Sequence, residues 1–232
     1  MKKIKITKNG PYVVSGDVSL YLKQLAEEDG LNVLKTVKKF DTPETGYTLC
    51  RCGNSANPPF CDGTHQKTGF DGTETAGHSK YKDRIEVMNG EGMELLDDNR
   101  CAFARLCHKH LGNAWELTEN SANPEAKKEA VEAASACPAG RLTAVLNGLP
   151  VEPTLEDSIS IVEDLPKRVS AGIFVTGNIV IEDADGKIYE ARNRQALCRC
   201  GESELKPFCD ASHVNAHYND GIKKKSGKKT SI

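Results

Sequence analysis

Apolar and polar residues alternate with the two-residue period of half-buried strands at both ends of this chain. Residues 3–7 alternate, Asn9-Gly10-Pro11 turns, and Tyr12-Val13-Val14 resumes the pattern before Gly16. A related phrase returns as Gly172-Ile173-Phe174-Val175-Thr176-Gly177, followed by Ile179-Val180-Ile181. Asp185-Gly186 then predicts a hairpin turn into residues 187–191. Between these stretches the pattern changes. Residues 84–88 predict a strand and Asn89-Gly90-Glu91-Gly92 a turn. Asn123-Pro124-Glu125 opens a helix, with Asn as cap and Pro at the first helical position. That helix runs through an Ala-rich stretch to Ala136 and stops at Cys137-Pro138. Residues 152–157 read as a linker into a strand over 159–162. The expected class is α+β: small β-rich units at residues 1–79 and 151–221, a small α+β unit inserted at 80–150, and a basic tail at 222–232.

Composition narrows the function classes. Of 232 residues, 38% are hydrophobic and 6% aromatic, which is lean for one large core. Small units bury proportionally less surface, and metal sites commonly supply the missing stability. A net charge of −2 argues against nucleic acid as a partner. The basic tail, Lys223-Lys224-Lys225 with Lys228-Lys229, reads as a solubilising end. No stretch approaches the roughly 20 apolar residues that span a bilayer, and no apolar run follows Met1-Lys2-Lys3 as in a signal peptide. The expectation is a cytoplasmic protein without a membrane partner, its thiols kept reduced. An odd count of nine cysteines suits ligands better than a disulfide framework.

Those cysteines fall into three groups of three. Cys50-Arg51-Cys52 is followed eight residues later by Cys61-Asp62-Gly63-Thr64-His65. Cys198-Arg199-Cys200 and Cys209-Asp210-Ala211-Ser212-His213 repeat the order and spacing 148 residues on (198 − 50). Each copy offers three thiols and one imidazole, a complete four-ligand set. Cys-x-Cys is closer than the usual pairing in structural zinc sites. Strand residues two apart share a face, so both sulfurs can reach one iron. Cys61 and His65 lie one helical turn apart, and the Asp62 carboxylate is placed to accept from the N–H of Thr64 or His65. Two ligand pairs on two local elements favour a two-iron cluster over a single zinc ion. The third group, Cys101, Cys107 and Cys137-Pro138, has the outline of a cubane ligand set with Ala104 where one cysteine would stand.

With these residues the chain resembles the CDGSH iron–sulfur (NEET-like) family, whose pattern is C-x-C-x2-(S/T)-x3-P-x-C-D-G-(S/A/T)-H. Cys50, Cys52, Ser55, Pro59, Cys61, Asp62, Gly63, Thr64 and His65 meet it throughout. Cys198, Cys200, Ser203, Pro207, Cys209, Asp210, Ser212 and His213 meet it with Ala211 in place of glycine. The resemblance implies a 2Fe–2S cluster at each copy. Cys50 with Cys52, and Cys198 with Cys200, would hold the inner iron; Cys61 with His65, and Cys209 with His213, the outer. It also implies that the two units pair about a pseudo-two-fold axis inside a monomer. Residues 81–147 resemble the divergent 4Fe–4S mono-cluster, ferredoxin-like family. Three thiolates there imply a 3Fe–4S cluster, or a 4Fe–4S cluster with a fourth ligand for which His108 and His110 are the nearby candidates.

The expected function is electron transfer, or storage and transfer of iron–sulfur clusters, with a redox partner or an apo-protein acceptor, rather than enzymatic turnover. Two other readings are a structural zinc-binding interaction module and an enzyme working at an open iron of the central triad. Imidazole ligation raises a cluster's potential above that of an all-cysteine site, and protonation of His65 or His213 would loosen the outer iron. Arg51 and Arg199 are expected to point away from iron, their charge raising its potential or pairing with a carboxylate. His217 reads as an exposed loop residue, His78 has no role, and Trp115 is a core or staple residue.

Overall fold

The computed structural model describes residues 2–222. The tail expected at 222–232 lies, beyond Ile222, outside the described residues. The first third runs β1 (Lys3–Ile6), β2 (Tyr12–Ser15), β3 (Ser19–Glu28), β4 (Leu31–Lys39), β5 (Gly46–Leu49) and a short helix α1 (Thr64–Thr68). The middle holds β6 (Glu86–Gly90), β7 (Met93–Asp97), β8 (His108–Lys109), β9 (Gly112–Asn113), α2 (Ala114–Glu119), α3 (Pro124–Ser135), β10 (Leu142–Leu146) and β11 (Leu149–Val151). The last third holds β12 (Ser158–Asp164), β13 (Val169–Thr176), β14 (Val180–Glu182), β15 (Arg194–Leu197) and α4 (Ser212–Asn215).

The two outer stretches are interleaved. One four-stranded sheet has the order β14-β1-β2-β5, and a five-stranded sheet has the order β15-β13-β12-β3-β4. Each contains strands from both ends of the chain. Within one stretch the pairings are antiparallel, whereas the two that join the stretches are parallel: Ile4 opposite Ile181, and Leu20 opposite Ile159. Parallel neighbours need a long crossover between them, and the middle third occupies that crossover. Both sheets feed a single core in which Ile4, Ile6, Leu20, Leu22, Ile161 and Ile173 are fully buried. β13 is buried along nearly its whole length, as its continuous apolar run requires of a strand covered on both faces.

Two elements here depart from the periodicity reading. The β3–β4 hairpin had no prediction, because β4 leaves the core and its second half is exposed, erasing the alternation. After the turn at Asp183–Gly186 the chain makes a single bridge, Glu182 to Ile188, and not a strand over 187–191. The Asp183 carboxylate takes the N–H groups of Asp185 and Lys187, so the turn satisfies itself locally.

The middle third is a four-stranded antiparallel sheet, β11-β10-β7-β6, with α2 and α3 packed on it. The Asn123 side chain caps α3 as expected, accepting from Glu125 and Ala126. The buried stripe Ala126, Ala130, Ala133, Ala134 keeps the spacing of one helical face and lets the helix approach the sheet closely. α2 escaped prediction, although Asn113 and Glu116 form a reciprocal capping box that marks its start. A third apolar cluster, containing Ala102, Ala104, Val162, Phe174 and Cys209, joins the 101–107 loop to the five-stranded sheet.

Arg194 of β15 locks the middle third to the rest. It is 3% exposed, and its guanidinium donates to the carbonyls of Ala134 and Cys137 at the end of α3, to that of Leu142, and to the Glu152 carboxylate. A cation here also complements the negative end of the α3 dipole. Arg194→Ala strands those acceptors and is expected to cost on the order of 3 kcal/mol, measured as a lowered denaturation midpoint with unchanged m-value.

Candidate metal centres

Each copy of the repeated motif is a tight loop closed on a strand. After β5, the Cys50 N–H donates to Pro59 O and the Cys61 N–H to Thr48 O. After β15, the Cys198 N–H donates to Pro207 O and the Cys209 N–H to Ala196 O. Inside the loops Ser55 Oγ donates to Phe60 O at 2.6 Å, and Ser203 Oγ to Phe208 O at 2.7 Å. Asp62 accepts from the N–H of Ala56 (2.8 Å) and of Thr64 (3.0 Å); Asp210 accepts from Glu204 and Ser212 at the same two distances. These contacts hold the Asp62 carboxyl down to about 2, the Thr64 N–H being the largest cause. Each of these bonds thus has its partner in the other loop, at the sequence offset of the repeat.

The ligand atoms come together in pairs. Cys50 Sγ lies 3.7 Å from Cys52 Sγ, and Cys198 Sγ 3.6 Å from Cys200 Sγ. Cys61 Sγ lies 3.4 Å from His65 Nδ1, and Cys209 Sγ 3.5 Å from His213 Nδ1. Two thiolates about 2.3 Å from one tetrahedral metal stand about 3.8 Å apart, and a thiolate with an imidazole nitrogen about 3.5 Å. The pairs match one metal each. Among the described residues no three Cys, His, Asp or Glu side chains converge on one ion position.

The surroundings divide the sulfurs: Cys50 and Cys198 are held below the usual thiol value, whereas the hydrogen bond to the partner thiol raises Cys52 and Cys200 and burial raises Cys61 and Cys209. The Cys52 thiol donates to Cys50 and lowers its pKa, burial opposes this, and N–H groups of Ser55, Gly53 and Cys52 lower it further. Cys198 is lowered in the same way by Cys200, with Ser203, Gly201 and Cys200 supplying the N–H groups. Burial, with the nearby Arg199 charge, lowers the His213 imidazole to about 4, so it is neutral at pH 7 as a ligand must be. Its Nε2 is buried without a hydrogen-bond partner.

The loops cross one another. Gly53 and Gly201 have φ of 78° and 85°, and a Cβ on either would lie 2.3 Å from Cys200 O or 2.8 Å from Cys52 O. Only glycine allows this approach. Tyr12 of the first stretch donates to Cys198 O (2.8 Å) and Pro207 O (3.1 Å) behind the second loop. Arg51 and Arg199, each 1% exposed, point into the protein behind their loops as anchors. Arg51 donates to the carbonyls of Thr7, Gly10 and Gly72. Arg199 donates to the carbonyls of Ala171 and Val162 and to the Glu163 and Asp220 carboxylates. Tyr12, Gly53 and the carboxylate partners of Arg199 carried no sequence signal that marks them as part of a site.

Cys101, Cys107 and Cys137 line one small apolar cavity of about 30 Å³, with Ala104, Trp115 and Arg141 among its other walls. Phe103 and Arg105 both have positive φ (57° and 59°) and curl the loop around it. The Phe103 N–H donates to Cys101 Sγ at 3.3 Å, and N–H groups of Leu142, Ala139 and Arg141 face Cys137. Burial raises Cys107 to about 11, with Cys137 and Cys101 adding to it. His108 and His110 are exposed and absent from the cavity wall, so neither is placed as a fourth ligand. Trp115 forms part of the wall and donates through Nε1 to Asp97. His217 is exposed. His78 stacks on Tyr189 and pairs with Asp183.

Comparison with protein families agrees with this division. Residues 9–66 and 171–214 match the family described as iron-binding zinc finger CDGSH type, and residues 88–147 match the divergent 4Fe–4S mono-cluster. No curated protein and no solved structure matches the chain. No helix among the described residues is long and apolar enough to cross a membrane.

Ala211 occupies the position of Gly63, and both are left-handed, with φ of 73° and 86°. No atom lies within 4 Å of a Cβ built on Gly63, so the difference is one of backbone strain alone. Gly63→Ala is expected to lose about 1 kcal/mol and Ala211→Gly to gain about as much, read from chemical denaturation of anaerobic protein.

Proposed function

We propose that this chain, an iron–sulfur protein built from two CDGSH-family units around a divergent 4Fe–4S unit, holds a 2Fe–2S cluster in each repeated loop and a larger cluster at the central triad, and carries single electrons between partners. Cys50, Cys52, Cys61 and His65 would hold the first cluster, and Cys198, Cys200, Cys209 and His213 the second. Cys101, Cys107 and Cys137 would hold the third, supplying three thiolates. When bound, such clusters exchange one electron with little change of structure.

The observation that carries this reading is contiguity. The triad loop shares an apolar cluster with Cys209, and the two ligand loops touch at Gly53 and Gly201. Three sites set against one another suit a relay. A store that gives up clusters independently would not need them in contact. Pairwise ligand spacing supports iron–sulfur over the single-ion zinc reading.

Protein purified without air should contain iron with acid-labile sulfide and show EPR signals of more than one cluster type. Cys101→Ser with Cys107→Ser should remove one type and leave the 2Fe–2S signals. Zinc without sulfide would overturn the proposal.

His65 and His213 give the outer irons a proton-sensitive ligand. Acid protonates the imidazole and competes with metal, so cluster retention falls as pH falls. His65→Cys is expected to lower one midpoint potential and to slow bleaching of that cluster at acid pH, followed by visible absorbance and redox titration.

A further inference from the structure

The two repeated loops have the same ligands at the same spacing, yet their surroundings differ. Cys209 and His213 are 4% and 2% exposed, while Cys61 and His65 are only partly buried. The cover over the second site comes from the middle third. Ala102 and Ala104 pack into the cluster that contains Cys209, with Leu106 against it. Arg105 reaches across and clamps the buried Asp164 carboxylate through two bonds of 2.8 and 2.9 Å. The first site has no counterpart: α1 buries none of its residues, whereas α4 buries His213.

Charge differs as well. Residues 72 and 220 are equivalent in the repeat. At 72 the Arg51 guanidinium meets a backbone carbonyl (2.9 Å), and at 220 Arg199 meets a carboxylate (2.6 Å). Glu163 supplies Arg199 with a second carboxylate at 2.9 Å. A Cβ added at Gly72 would lie 2.3 Å from Arg51 Nη2 and displace it. Behind the first loop the buried charge is thus a cation bonded to carbonyls, with the exposed Asp71 carboxylate acting on it from the surface. Behind the second it is a cation flanked by two anions. A cation favours an added electron, and its neutralisation withdraws that favour.

We propose that the two loops divide the work: the second is a sealed internal step between the triad and the first, and the first is the port through which the chain meets solvent and its electron-accepting protein partner. This rests on the iron–sulfur reading above. A one-electron reductant feeds the triad side, and each electron leaves at the Cys61–His65 face, where the higher potential lies. No bond is made or broken in the transfer.

The test uses the full chain, purified without air and challenged with excess EDTA, with 2Fe–2S content followed by visible circular dichroism and by EPR of dithionite-reduced samples. Two phases of loss are expected, the second slower by about tenfold or more, the factor set by about 1.4 kcal/mol of opening free energy for the cover. Cys61→Ala with His65→Ala should abolish the fast phase and keep the slow one. Arg105→Ala with Leu106→Ala should speed only the slow phase. In redox titration Asp220→Asn should raise only the lower of the two 2Fe–2S potentials. Equal rates of loss in the unaltered, iron-loaded chain would overturn the division of labour and leave the iron–sulfur reading standing. So would a slow phase that vanishes in the Cys61/His65 variant. A chain that holds zinc and no sulfide would overturn both.

Discussion

Two parallel strand pairings, Ile4 with Ile181 and Leu20 with Ile159, hold the whole arrangement together. They place strands from each end of the chain in both sheets, so one apolar core serves both ligand loops. The loops leave strands of the two sheets that share that core, and they meet at Gly53 and Gly201. Separate units would each bury a small core and contribute less stability. Interleaving gives a larger core and fixes the distance between the sites as a property of the fold.

The order of the loops comes from satisfying their polar atoms. Serine, aspartate and backbone groups close each loop through the same set of bonds. The arginines then tie the loops to what lies behind. Burying a guanidinium is costly unless its donors are met, and both are met, one by carbonyls alone and one by two carbonyls and two carboxylates. A chain that repeats its ligands faithfully has thereby let the ground beneath them diverge.

The grouping of the candidate ligands was legible in the sequence because metal chemistry restricts residue type and spacing together. The Cys-x-Cys and Cys-x3-His pairs appear in space as pairs, and the three central thiols line one cavity. The Asn123 cap was legible for a similar reason, being local. Strand exchange was not, since β1 and β14 carry ordinary alternating patterns that do not name a partner. The β3–β4 hairpin was hidden by its exposed outer strand, and α2 by its brevity. The cover over Cys209 depends on tertiary placement of the 101–107 loop, which spacing alone does not encode. Arg105 sat in plain view inside the C-x5-C segment, but only the fold brings it to Asp164.

The parallel pairing of β1 with β14 joins residues near position 4 to residues near 181. Contacts so distant along the chain form late, because the intervening loop must first be closed. During synthesis the first ligand loop therefore emerges from the ribosome well before the strands that complete its sheet. The four candidate ligands of the first loop are thus made before β14, the one strand its sheet takes from the far end of the chain.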